Sequence, residues 1–117
     1  ETMCAAAADL TDDQIDAIAA HYAGLDFVAA AQEFDADLAT TGEAVHEANC
    51  AMCHSDGGSN PDDDSGILAG QSMGYMEMTM AQYRAGEREQ PAPMQKKIDA
   101  LSDDDVMALL HYYASQQ

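Results

Sequence analysis

Apolar residues return every three to four positions near the end of the chain, where Val106, Leu109, Leu110 and Tyr113 fall on one face of a helix spanning residues 102–116. Ser102 is placed to cap it, and Asp103 to Asp105 suit the positive end of its dipole. A second stripe, Met73, Met76, Met80 and Tyr83, predicts a helix that Ser72 caps and Gly86 stops. Gly42 to Asn49 predicts a shorter helix with Val45 and Ala48 available for packing. Near the start, Asp12 to Ala23 carries Ile15, Ile18 and Tyr22 on a face that has to be buried against the rest of the chain or a partner. Between these elements, Asp56 to Gly66 holds three Gly, a Pro and an Asp run, the composition of a surface loop. Pro91 and Pro93 predict an extended loop leading into Met94. No stretch alternates with period two for long, so the expected fold is all-α, with short helices and long loops.

The first helix repeats the last. Shifted by 91 positions, Met3 lies over Met94, and Thr11-Asp12-Asp13 over Ser102-Asp103-Asp104. Ile15, Ala17, Ile18, Tyr22 and Ala23 then fall on Val106, Ala108, Leu109, Tyr113 and Ala114. The expected organisation is an N-terminal helix and linker over residues 1–33, the remnant of a degenerate first domain, followed by a main domain over 34–117. Two unrelated amphipathic helices that both favour Asp at their start would give the same match.

Composition narrows the partners. With 117 residues, no Trp and two Phe, the chain builds one modest core and needs a staple beyond it. A net charge of −18 argues against nucleic acid or an anionic membrane as partner and favours a basic protein. The predominance of Asp and scarcity of Lys fit either a solvated surface or adaptation to a salty medium. All four cations, Arg84, Arg88, Lys96 and Lys97, fall between positions 84 and 97, which polarises the molecule. No apolar run is long enough to span a bilayer, and no signal peptide is evident.

The chemistry lies in Cys50-Ala51-Met52-Cys53-His54, the C-x-x-C-H signature of covalent haem attachment. Two thiols three residues apart on one turn can each form a thioether to a haem vinyl group, with His54 placed beneath the iron as proximal ligand. Zinc binding would need a second ligand pair, and no second Cys-x-x-Cys or His-x-x-x-His exists. A thioredoxin-like dithiol would need a βαβ setting, which the pattern lacks. The haem would be the missing staple, and its attachment after export makes the periplasm the expected compartment and the chain a mature form.

Among eight Met, those at 73, 76, 78 and 80 lie in helical sequence and read as core, and Met52 lies within the motif. Met94 follows the Pro-x-Pro segment and is the expected distal ligand. His/Met ligation fills both axial positions and favours electron transfer over catalysis. A haem sensor or enzyme, in which Met94 detaches, is the rival. Arg84 or Arg88 would neutralise the haem propionates, unless they only make incidental surface ion pairs. Cys4 is left over. It is an inert thiol, an intermolecular disulfide partner, or one arm of a soft-metal site with Met3, His21 and His46 that would take copper.

Cys50-x-x-Cys53-His54, Ile67-Leu68-Ala69-Gly70-Gln71, Tyr83-Arg84-Ala85-Gly86-Glu87-Arg88, Met94 and the closing Tyr112-Tyr113-Ala114-Ser115-Gln116-Gln117 resemble, in that order, class I c-type cytochromes of bacterial two-haem type. Phe34-Asp35-x-Asp37-Leu38-Ala39-x-Thr41-Gly42 and Pro93-Met94-Gln95-Lys96-Lys97 are most similar to the second domain of the cytochrome subunit of flavocytochrome c sulfide dehydrogenase. The resemblance covers residues 34 to 117. It implies a covalent haem c on Cys50 and Cys53, His54 and Met94 as axial ligands, and a flavin-binding subunit as electron donor in sulfide oxidation. The first haem motif of that family is absent, which implies one haem where the family has two. A freely diffusing carrier serving a terminal oxidase is the alternative.

Overall fold

The computed structural model describes residues 2–116, so Glu1 and Gln117, the outer bounds of the two expected units, lie outside the described residues. Its helices are α1 (Thr2–Ala7), α2 (Asp12–Ala23), α3 (Ala36–Asn49), α4 (Ser55–Gly58), α5 (Met73–Ala85), α6 (Ala92–Ala100) and α7 (Asp103–Ser115). There is no strand among the described residues, and the all-α expectation holds.

The terminal helix forms as its sequence dictates. Ser102 Oγ accepts from the Asp105 amide at 3.1 Å, and the Asp105 carboxylate accepts from the Ser102 amide at 3.0 Å, a reciprocal capping box. The Ser102 hydroxyl donating to the Asp105 carboxylate at 2.7 Å, together with the Ser102 amide, holds the Asp105 carboxyl below its usual pKa.

Helix α3 begins at Ala36, six residues before the expected Gly42. Asp35 caps it, its carboxylate accepting from the Asp37 and Leu38 amides at 2.9 and 3.0 Å. The Asp35 amide donates to His111 Nδ1 at 2.9 Å, tying the start of α3 to α7. The glycine that suggested a later start is internal because it is where α3 and α7 cross. A Cβ at Gly42 would lie 2.1 Å from the Ala108 carbonyl oxygen and 2.7 Å from Tyr112 Cβ. This crossing is the principal helix contact, and the core around it holds Leu109, Leu110, Tyr112 and Tyr113 with Met76 and Leu101.

Two further expectations are corrected. Pro91 and Pro93 do not keep Met94 in an extended loop: α6 starts at Ala92, with Pro93 in its first turn and Met94 directly after. First-turn amides have no intrahelical acceptor, so a proline there forfeits nothing and its fixed φ favours the helix. Ser72 makes no side-chain cap bond at the start of α5. The Met73 amide donates instead to Gln32 Oε1 at 2.8 Å, while Gln32 Nε2 donates to the Gln71 carbonyl at 2.7 Å. A strap over residues 29–32 is thereby laid on the domain, reinforced by Ala30 N–H to the Gly70 carbonyl at 2.8 Å. Gly70, at φ +71°, admits the strap because a Cβ there would sit 2.6 Å from Ala29 Cβ.

The pair α1–α2 repeats α6–α7 in helix order and in the cap of its second helix as well as in sequence. Asp12 and Asp103 open α2 and α7, and Thr11 with Gln14 forms the same capping box as Ser102 with Asp105. The packing differs. No residue of α2 is buried, and Ile15, Ile18 and Tyr22 are 47, 43 and 69% exposed, so the expected burial of this face does not occur within the described chain. The radius of gyration, 16.0 Å, exceeds the value of about 13 Å for a compact chain of this length, as helix α2, with no buried residue, standing off the main body requires.

Candidate functional site

The last turn of α3 delivers Cys50 to the edge of a cavity of about 520 Å³, walled by α5, α6 and α7 and by the loop after α4. That size lies within the range of cofactor pockets. Cys50, Cys53, His54 and Met94 all line it, although His54 and Met94 are 40 positions apart in the chain. Most of the remaining wall is apolar or aromatic, with Leu68, Met76, Met80, Tyr83, Leu109 and Leu110 among its members.

Each donor has local support. The backbone turns after α3, with the Cys53 and His54 amides donating to the Cys50 carbonyl at 3.1 and 2.9 Å. His54 Nδ1–H donates to the Gly66 carbonyl at 3.2 Å, which orients the ring and leaves Nε2 as its free donor atom. The loop supplying that carbonyl is fastened beside His54. Asp63 accepts from the Ser55 amide at 2.6 Å and from Ser55 Oγ at 2.9 Å, and Asn60 Nδ2 donates to Ser55 Oγ at 2.9 Å. Burial pushes the Cys50 thiol pKa up, opposed by the neighbouring Tyr113 hydroxyl and the charge of Lys97. All three cysteines are free, with Cys53 and Cys4 exposed.

The residues present fit a covalent haem. Two unpaired thiols, a histidine whose outer nitrogen is already engaged and a thioether converge on one apolar cavity, and haem c needs that donor set. Cys50 and Cys53 would hold its vinyl carbons, and His54 and Met94 its iron.

Other expected site residues are placed elsewhere. Arg84 donates to Asp103 at 2.6 Å and to the Leu101 carbonyl at 2.8 Å, joining α5 to the start of α7. Arg88 lies over the Tyr83 ring and donates to Tyr75 Oη at 3.4 Å. Neither lines the cavity. Of the four cations, Lys97 does, donating to the Ala48 carbonyl at 3.4 Å and Asn49 Oδ1 at 3.3 Å. Its position one turn after Met94 becomes visible only once α6 is known to be a helix.

The soft-metal set is not assembled. His46 is fully buried in the main core, with Nδ1 2.9 Å from Tyr113 Oη, while Met3 and Cys4 are exposed on α1 and His21 packs edge-on against Tyr22. His46 therefore belongs to the α3–α7 core and not with Met3 and Cys4. Among the described residues no group of three or more His, Cys, Asp or Glu gathers at metal-binding distances. Among the described residues no helix is long and apolar enough to cross a membrane.

Donors of this kind on a helical cradle define a protein built around a covalent prosthetic group. Comparison with known proteins specifies it further. The family described as cytochrome c oxidase, cbb3-type, subunit III matches residues 37–112. The chain is 34% identical over 70 residues to cytochrome c-554(548) of Halomonas halodenitrificans, an alignment covering 58% of this chain and 84% of that protein. It is also 34% identical over 122 aligned positions to the thiosulfate dehydrogenase electron acceptor of Stutzerimonas stutzeri, covering 93% of this chain but 56% of that protein. The chain thus spans about half the length of that second relative. It belongs to the cytochrome c family, whose members carry a covalent haem c and transfer electrons.

Proposed function

We propose that the chain is a periplasmic one-electron carrier that accepts electrons from a sulfur-oxidising dehydrogenase, with a flavoprotein of the sulfide dehydrogenase type as donor. Cys50 and Cys53 form the thioethers, His54 is the proximal ligand and Met94 the distal ligand. The observation that carries this reading is the convergence of His54 and Met94 on one cavity. With both axial positions filled from the protein, the haem supplies reversible one-electron iron chemistry and offers no open site to substrate. The donor assignment rests on the resemblance described above. It is supported by the relative named as a thiosulfate dehydrogenase electron acceptor.

Residues 1–33 are the remnant of a first cytochrome domain. Their support is the repetition of the α6–α7 helix order by α1–α2, down to the capping boxes of α2 and α7. The exposed Ile15, Ile18 and Tyr22 of α2 correspond to Val106, Leu109 and Tyr113 of α7, two of which, Leu109 and Tyr113, wall the cavity.

Two measurements test the proposal. A reduced-minus-oxidised spectrum of the haem-loaded protein should show a low-spin c-type centre that carbon monoxide does not shift. Rapid mixing with a reduced flavoprotein sulfide dehydrogenase should reduce it in a fast second-order step. A carbon monoxide-sensitive spectrum would refute closed ligation, and no reduction by the flavoprotein would refute the donor. Delivery to a terminal oxidase is a second reading, favoured by the description of the matching family. Faster exchange with an oxidase than with any dehydrogenase would select it.

A further inference from the structure

His46 is a polar side chain where the helix crossing needs only an apolar one. It is fully buried one turn beyond Gly42, with its ring 5.3 Å from that of Tyr112 and 5.6 Å from that of Tyr113. Its Nδ1 lies 2.9 Å from Tyr113 Oη, and its Nε2, although buried, has no partner among the described residues. Leaving a buried polar nitrogen unsatisfied costs about 1–3 kcal/mol, so the side chain is not there for packing alone.

Tyr113 is the other half of the arrangement. It is buried in the core, yet it lines the haem cavity together with Cys50, which packs against the core cluster that Tyr113 belongs to. A phenol has one proton to donate. If His46 Nδ1 accepts that proton, Nε2 must carry a hydrogen and becomes a buried donor without an acceptor. If Nδ1–H donates to Tyr113 Oη, Nε2 is a bare lone pair, and the phenol proton is free to point at Cys50. Orphaned buried N–H groups are rarer than orphaned acceptors, which selects the second arrangement. In that arrangement His46 Nδ1–H donates to Tyr113 Oη, and the phenol proton faces the wall that Tyr113 shares with Cys50.

We propose that His46 is a positioning residue that aims the Tyr113 hydroxyl at the Cys50 sulfur and thereby raises the reduction potential of the haem attached there. The positive end of the O–H dipole faces the haem side of the thioether, where it favours the reduced centre, which carries one positive charge fewer. This rests on the haem site proposed above.

The test is a set of holoproteins: wild type, His46→Phe, Tyr113→Phe, the double variant and His46→Gln, which keeps an N–H donor. A visible haem c spectrum of each, recorded before titration, separates failure of the haem assignment from failure of this inference. Spectroelectrochemical titration should show His46→Phe and Tyr113→Phe lowering the potential by the same amount. The expected shift is about twofold or more in the exchange equilibrium with a fixed mediator, about 18 mV at ~59 mV per tenfold for one electron. The double variant should match either single one, and His46→Gln should recover most of the wild-type value. Wild-type potential in Tyr113→Phe, additive shifts in the double variant, or a loss of thermal stability without a shift in potential would each overturn the proposal. Should His46→Phe not fold, Tyr113→Phe, which deletes one oxygen, and His46→Gln still decide it.

Discussion

Replacing Gly42 with alanine tests the claim that the whole domain is organised on the α3–α7 crossing. In an unconstrained helix this change stabilises by about 1 kcal/mol, through lower backbone entropy in the unfolded chain. Here the new Cβ would start 2.1 Å from the Ala108 carbonyl oxygen and must retreat to at least 3.4 Å for ordinary contact, a displacement of about 1.3 Å. The obstacle is backbone, so no rotamer change relieves it and the two helices must separate. Ala108 and Leu109 are each 1% exposed and Ala114 is 0% exposed, so the separation opens the tightest part of the core. Overpacking of this kind costs about 3 kcal/mol at the upper end of its usual range, leaving a net loss of about 2 kcal/mol once the propensity gain is subtracted. Urea unfolding of the holoprotein, followed by helical circular dichroism, should show the midpoint falling by about 1–2 M for the usual urea dependence of a small domain. Gly74→Ala is the control, because a Cβ there meets nothing within 4 Å. It should be neutral or slightly stabilising. A Gly42→Ala midpoint equal to or above wild type would refute the reasoning.

Met94→Ala should open the distal iron position, so that carbon monoxide shifts the reduced spectrum at once, whereas Met78→Ala, on an exposed part of α5, should leave the spectrum unchanged. Burial holds the His46 pKa below its ordinary value. The unfolded chain therefore takes up that proton first, so the stabilisation is complete above about pH 6.5 and is lost as pH falls toward the folded-state value. Melting temperatures between pH 7.5 and 5 should decline less steeply in His46→Phe than in wild type, and parallel slopes would count against burial as the cause. Ser102→Ala should destabilise the domain by about 1 kcal/mol through loss of the α7 cap. Thr11→Ala, its counterpart on α2, should leave the main unfolding transition where it is, because no residue of α2 is buried.

What the sequence revealed and what it hid divide by the range of the interactions. The thiol spacing at Cys50 and Cys53, the α7 cap at Ser102 and the stop at Gly86 depend on residues within one or two turns, and each is legible in a short window. Met94 stands out by its proline neighbours, yet those prolines suggest a loop where there is a helix, because proline breaks a helix interior but not its first turn. The cap of α5 was misassigned for the opposite reason: Ser72 is adjacent and suitable, but Gln32, 41 residues upstream, takes the amide. Arg84 looked like a cavity cation and is claimed by Asp103, while Lys97 reaches the wall from the helix that the proline reading had removed. His46 was grouped with Met3 and Cys4 on chemistry alone, and only the Gly42 crossing shows why it lies in the core.

The strap at residues 29–32 bears on how this haem unit could be moved between proteins. Ala30 and Gln32 lie before Phe34, where the haem-domain resemblance begins, yet they satisfy the Gly70 carbonyl and the first amide of α5. The two ends of the Gln32–Met73 bond bracket the whole Cys50–His54 segment, so the attachment motif sits inside a closed loop of the chain. A transplanted cassette cut at Phe34 would keep every donor atom while leaving the helix that walls the haem with an open end. The portable unit begins at Ala29.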